Sequence, residues 1–204
     1  MNALPSRLIL ASASSARAHL LNAAGVLFET DPAQVDEATV KRLACDPQSH
    51  VEAADISLLL AQAKAVEVSD RRAAALVIGA DQTLLVDDQL LDKPKDREDA
   101  REQLMMLRGR THALDSSVAC AKDGVVVWTA SERAYLTMRD FSNAALGQYL
   151  AAAGDDVMTS VGGYKIESRA IQLFSRIEGD YFSILGLPLL ALLQFLREQQ
   201  FITT

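Results

Sequence analysis

Short continuous apolar runs and longer stretches of helical period succeed one another along the chain. "RLILA" (7–11) is apolar and of strand length; "SASSARAHLLNAAG" then sets Ala16, Leu20 and Leu21 or Ala24 at helical spacing before Gly25, a C-terminal stop. "VLFET" reads as a second strand, and the stretch from about His50 to Val68 as a long helix with several apolar faces, packed well into the core. "ALVIGA" is a run typical of a strand covered on both faces, ending at Asp81, and "TLLVDDQLLDK" reads as a hairpin with Asp87 and Asp88 in its turn. Asp96 caps a helix "REDAREQLMMLR", whose Ala100, Leu104 and Leu107 form a stripe and which ends at Gly109. Two longer strands, "THALDSSVACA" and "VVVWTASERAYLTM", meet at a "KDG" turn. A helix near 142–153, a glycine-bearing loop "SVGGY" and a helix after Pro188 complete the pattern. The mixture predicts an α/β protein with a mixed, mostly covered β-sheet flanked by helices.

Composition narrows this picture. With 204 residues, half of them hydrophobic, the chain can bury a large core as one domain or two closely joined lobes, and no linker, repeat or low-complexity segment divides it. No apolar run approaches the roughly 20 residues needed to cross a bilayer, and "MNALPSRLIL" enters a strand-like run without a signal-peptide cleavage site, so a cytoplasmic protein without a membrane partner is expected. The net charge of -7, from 20 basic and 27 acidic residues, argues against nonspecific binding along nucleic acid. An anionic substrate must therefore meet a few placed cations. Cys45 and Cys120 are far apart and outside any CxxC pair or histidine array, which predicts two buried reduced thiols.

Three stretches put polar groups at the ends of apolar elements. In "ASASSAR", Ser12, Ser14 and the start of a helix carrying Arg17 offer hydroxyls and free backbone N–H groups to an anion, although an ordinary serine cap has the same spacing. Asp81 stands at the carboxyl end of "ALVIGA", where ligands of α/β sheets tend to sit. Lys64 on the preceding helix and Lys93 after the hairpin can serve it, or form a plain salt bridge with it. In "SVGGYKIES", paired glycines let a loop approach a ligand, and Glu167 follows. Glu37 in "QVDEA" reads either as a solvated acid at a helix start or as a ligand to metal or water.

Taken together, "LILASASSARAHLL", "VDE", "LAQAKA", "VIGADQTLL", "LDKPKDREDAREQLMMLRGRTH", "VGGYKIES" and "IEGDYFSILGLPL" resemble, in order and spacing over nearly the whole chain, the Maf family of nucleoside triphosphate pyrophosphatases. The resemblance implies a single domain over 1–204 with a Maf/inosine triphosphatase-like fold and an active-site cleft between two lobes. It implies a cytoplasmic enzyme that cleaves a nucleoside triphosphate between the α and β phosphates, with magnesium or manganese accompanying the substrate. The family's phosphate-binding serines and arginine fall on Ser12, Ser14 and Arg17, its acidic residue on Glu37, its lysines on Lys64 and Lys93, and its essential aspartate on Asp81. Water must attack a phosphorus shielded by up to four negative charges, so cations must neutralise it, while Asp81 takes a proton from the water or holds the metal. With Glu37 and Asp81 as ligands, a hard ion needs no histidine or cysteine cluster.

Departures from the family pattern bear on substrate preference. The usual "SPRR" is here "SSAR", Asp92 replaces a glycine before the second lysine, and Ser168 and Ala170 replace glycines after the third motif. The branch acting on thymidine and uridine triphosphates carries arginine, threonine and glutamine where this chain has Ala16, Gln82 and Glu167; the branch acting on N7-methylated GTP carries glutamine and glutamate at the last two. A carboxylate accepts from the N1–H and exocyclic amine of guanine, which favours the purine. A dTTP/UTP pyrophosphatase, a nucleotide-binding regulator of cell division, and an aspartyl-phosphate phosphatase are the competing readings, the last lacking its second acid because Thr83 stands there. A homodimer would be unsurprising.

Overall fold

A computed structural model describes residues 7–46, 48–87 and 89–203. Asp88 and residues 1–6, on which parts of the sequence reading fall, lie outside the described residues. In chain order the elements are β1 (Leu8–Leu10), α1 (Ser15–Ala23), β2 (Glu29–Thr30), α2 (Glu37–Ala44), α3 (Ile56–Arg71), β3 (Leu76–Val86), β4 (Gln89–Leu91), α4 (Arg97–Leu107), β5 (Thr111–Lys122), β6 (Val125–Met138), α5 (Asn143–Ala153), β7 (Phe174–Glu178), α6 (Tyr181–Ile184) and α7 (Leu189–Glu198). The described strands form one seven-stranded sheet of order β2-β1-β3-β5-β6-β7, with β4 also on β3. It is mixed: β1 runs parallel to β2 and β3, whereas β4 and β7 run antiparallel to β3 and β6.

The chain divides into two compact units. One comprises the chain up to Gln82, Ser116–Glu132 and Tyr181 onward; the other comprises Thr83–Asp115 and Arg133–Asp180. Strands β3, β5 and β6 contribute residues to both.

In the first unit, the two-residue period of β1 and β3 sorts side chains onto two faces. Leu8, Leu10, Leu76, Ile78 and Ala80 pack with Leu20 and Leu21 of α1 and with Leu192 and Leu196 of α7. Ile9, Val77 and Ala11 face the other way, onto Val68 of α3. Close contact on that second face depends on small residues, Ala61 and Ala65 of α3 with Ala119 and Ala121 of β5. Gly79 lies on the same face; a Cβ there would meet the Ala61 carbonyl oxygen and come within 2.6 Å of Ala65 N.

The second unit contains the hairpin β3–β4, with Leu84 opposite Leu91, and α4, capped by Asp96 and burying Ala100, Leu104 and Leu107 as its spacing predicts. Arg133 holds Asp115 through two parallel hydrogen bonds of 2.6 and 2.8 Å. Back in the first unit, the "KDG" turn joins β5 to β6 with Asp123 and Gly124 both at positive φ, as a two-residue hairpin requires.

Four expectations need correction. Asp81 does not end its strand: β3 continues five residues beyond it, because the polar side chains past Ala80 find partners. The long helix begins at Ile56 rather than near His50, whose φ of 54° is left-handed, and it runs on to Arg71. Of "VLFET" only Glu29 and Thr30 pair, since β1 offers them just Ile9 and Leu10. Cys45 is exposed at the end of α2, while Cys120 is buried.

Candidate active site

The segment after β1 turns directly into α1. Ser14 caps this helix, its Oγ accepting from Arg17 N, and the Ser14 N–H donates to Ser12 Oγ at 3.3 Å. Capping thus sets Arg17 in the first turn, where the guanidinium folds back over the segment after β1 and the middle of β3. Its Nε donates to the Gly186 carbonyl at 2.8 Å, and Nη1 to Ser12 Oγ at 3.1 Å and the Ala80 carbonyl at 2.9 Å. Burial lowers the pKa of Arg17, while the negative charges of Asp81 and Glu37 act to raise it. A guanidinium remains charged at neutral pH even so, which makes this a fixed cation inside the fold.

On the α3 side of the sheet, Lys64 Nζ lies 2.6 Å from Asp81 Oδ1 and 2.7 Å from Glu37 Oε1. Three elements cooperate in this contact. Strand β3 carries Asp81, the third turn of α3 carries Lys64, and Glu37 opens α2 behind its Asp36 cap. The Lys64 and Asp81 side chains are only 11% and 9% exposed, so the pair is largely withdrawn from water, while Glu37 at 46% keeps solvent on one side. Two carboxylate oxygens therefore converge on one point.

Asp81 and Gln82, neighbours in an extended strand, project to opposite faces. Gln82 turns away from α3, and its Nε2 lies against Ser116 Oγ and the carbonyls of Ser183 and Ile184. Neither Ser116 nor the turn after α6 stood out in the sequence. A serine within "ALDSSVA" has no distinguishing neighbour, and a main-chain carbonyl leaves no mark in residue identity.

The first unit thus assembles Ser12, Ser14 and Arg17 as one cluster and Glu37, Lys64 and Asp81 as another, whose charges Arg17 feels. Ala16 is half-buried on α1. Lys93 and Glu167 belong to the second unit, where both are exposed. Lys93 follows β4, next to the buried Pro94. Glu167 follows the Gly162–Gly163 loop, whose glycines both adopt positive φ; a Cβ on Gly162 would come within 2.6 Å of the Leu84 side chain. Tyr149 donates to the Gly163 carbonyl at 2.9 Å, and burial, with the charges of Asp156 and Glu167, pushes its phenol up to about 12. Among the described residues no group of three or more histidines, cysteines and acids gathers as a metal cluster, and no helix is long and apolar enough to cross a membrane.

Residues 7–199 match the family model described as Maf-like protein. The chain is 52% identical over 191 residues to a protein of Paramagnetospirillum magneticum named nucleoside triphosphate pyrophosphatase, covering 93% of this chain and 97% of that one. Two proteins named 7-methyl-GTP pyrophosphatase are similarly related: one from Mesorhizobium japonicum at 48% identity, covering 94% of this chain and 95% of its own length, and one from Brucella abortus at 44%, covering 95% and 96%. With a family model spanning nearly the whole chain and relatives matched almost end to end, the protein belongs to the Maf family.

Proposed function

We propose that this protein is a nucleoside triphosphate pyrophosphatase, hydrolysing the bond between the α and β phosphates to release a nucleoside monophosphate and pyrophosphate. In this role it keeps non-standard nucleotides from being incorporated, with a 7-methyl-GTP-like purine preferred and dTTP or UTP as the alternative. The carrying observation is the Glu37–Lys64–Asp81 contact near a buried arginine, in a chain whose relatives bear the pyrophosphatase names.

A divalent cation, magnesium or manganese, belongs to this reading, and the donor set suits it. Glu37 and Asp81 offer hard carboxylate oxygens, both of which lie against the Lys64 ammonium in this structure, at 2.7 and 2.6 Å, and these two residues would hold the ion. When bound, it supplies charge neutralisation to the polyphosphate. The rest of the chemistry belongs to the side chains. Arg17 and Lys64 bring positive charge to the phosphates, with Ser12 and Ser14 donating hydroxyl hydrogen bonds. Asp81 takes the proton of the attacking water as its oxygen bonds to the α phosphorus; the bridging bond breaks and its electron pair leaves with pyrophosphate. Gln82 and Ala16 belong to the base side. Lys93 and Glu167, carried by the second unit, are assigned to phosphate and base on the family resemblance. The whole chain acts as one domain in the cytoplasm, with a nucleotide and no nucleic acid or membrane as its partner, and as a homodimer.

Product analysis over GTP, 7-methyl-GTP, dTTP, UTP and CTP with magnesium or manganese tests this. Pyrophosphate with a nucleoside monophosphate is the expected product pair, fastest from 7-methyl-GTP. Orthophosphate would overturn the reaction and point to an aspartyl-phosphate phosphatase; tight nucleotide binding without turnover would point to a regulator.

A further inference from the structure

Gln82 Nε2 lies 2.8 Å from Ser116 Oγ, 3.1 Å from the Ser183 carbonyl and 3.0 Å from the Ile184 carbonyl. Two of these partners are main-chain oxygens, which only accept. The third is a hydroxyl whose single proton is committed elsewhere: Ser116 Oγ, 1% exposed, donates to the Ser183 carbonyl at 2.6 Å. It therefore faces Gln82 as an acceptor too. Turning the amide over would set Oε1 against two carbonyl oxygens and could be met only by drawing the Ser116 proton off the Ser183 carbonyl, a buried repulsion at the cost of an existing bond. The nitrogen end is locked inward, and its two protons are shared among three acceptors with none left for a ligand. Among the described residues Oε1 has no hydrogen-bond partner, and the residue is half-buried.

We infer that Ser116 is a positioning residue for base selection. With the carbonyls of Ser183 and Ile184 it holds the Gln82 amide so that Gln82 offers a nucleobase an acceptor and never a donor, and the base must bring an N–H to meet it. The N1–H of guanine, which leaves the exocyclic amine to Glu167, and the N3–H of uracil or thymine satisfy this; the corresponding ring nitrogens of adenine and cytosine carry lone pairs and are turned away. The inference rests on the assignment of Gln82 to the base side, and it holds for purine and pyrimidine alike.

Two measurements on wild type, Ser116→Ala and Ser116→Thr test it. The first compares kcat/KM for GTP with 1-methyl-GTP and for UTP with 3-methyl-UTP, in which a methyl replaces the N–H. The second follows exchange of the Gln82 side-chain NH2 protons by NMR without substrate. Wild type should disfavour the methylated member of its preferred pair by about tenfold or more, as for one base-edge contact. Ser116→Ala leaves the two carbonyls as acceptors, so it should lose part of that discrimination, through KM rather than kcat, and speed exchange of the NH2 protons; Ser116→Thr, which keeps the hydroxyl, should restore both. NH2 protons that exchange freely in wild type, or as slowly in Ser116→Ala as in wild type, would overturn the positioning role. Protected protons together with a wild type indifferent to the methyl group would overturn the acceptor role by removing Gln82 from the base. A chain that splits no nucleoside triphosphate would fail at the function itself, leaving the exchange measurement to decide the role of Ser116.

Discussion

Lys64 is the residue on which the acidic part of the site turns, because one ammonium group serves two carboxylates. Asp81 sits 6% exposed in the middle of β3, a position a lone carboxylate would leave or neutralise. Its contact with Lys64, and the field of the buried Arg17, make it tenable. Asp81→Asn keeps the shape and leaves Lys64 its bond to Glu37, so the fold should survive. Turnover should fall by about 10²–10⁴-fold, the usual contribution of a placed general base, while nucleotide binding persists in an equilibrium titration. Turnover within a few-fold of wild type would remove Asp81 from the chemistry. The types of these residues were legible in the sequence, and so was the alternative of a simple ion pair, which is the contact the fold makes. Ser116 was not legible, because its significance lies in where its proton goes.

At the scale of elements, the distance between α3 and β3 decides whether Lys64 reaches Asp81 at all. Gly79 lies two residues before Asp81 on the same face, and any side chain there meets the backbone of α3 at Ala61 and Ala65, less than one turn from Lys64. Gly79→Ala should push the helix outward, with a stability loss of about 1–3 kcal/mol for overpacking, and should lower kcat/KM more than the change in stability explains. Full activity at unchanged stability would mean that the helix has slack the contacts do not reveal. Hydrophobic period sufficed for α4, α5, α7 and the β5–β6 hairpin, whose apolar positions and turn residues agree. It failed where tertiary partners take over. β3 runs on through Asp81, Gln82 and Thr83 because neighbouring elements pair the side chains of the first two, and β7 and α6 are too short to have a period.

For the molecule as a whole, acid is the informative perturbation. His112 is 2% exposed, with Nε2 at 2.5 Å from Tyr164 OH and Nδ1 lacking any partner among the described residues. Burial pushes its pKa down to about 4, against about 6.5 in an unfolded chain. Between those values the unfolded state binds the extra proton, so this contribution is complete above about pH 6.5 and is lost as pH falls toward 4, by roughly 3 kcal/mol at most. The first unit holds the sole tryptophan, Trp128, stacked on Phe195 at 4.7 Å, and the second holds Tyr135, Tyr149 and Tyr164, three of the four tyrosines. Because β3, β5 and β6 each run unbroken from one unit into the other, unfolding either unit frays strands that the other also needs. Tryptophan fluorescence and the tyrosine near-ultraviolet signal should therefore share one denaturant midpoint, moving down together between about pH 7 and pH 5. His112→Gln should flatten that slope relative to wild type, which separates the histidine from carboxylates titrating at the acid end. A slope unchanged by His112→Gln would assign the acid sensitivity to other groups, and a tyrosine midpoint that moves while the tryptophan midpoint stays would mean that the two units unfold separately.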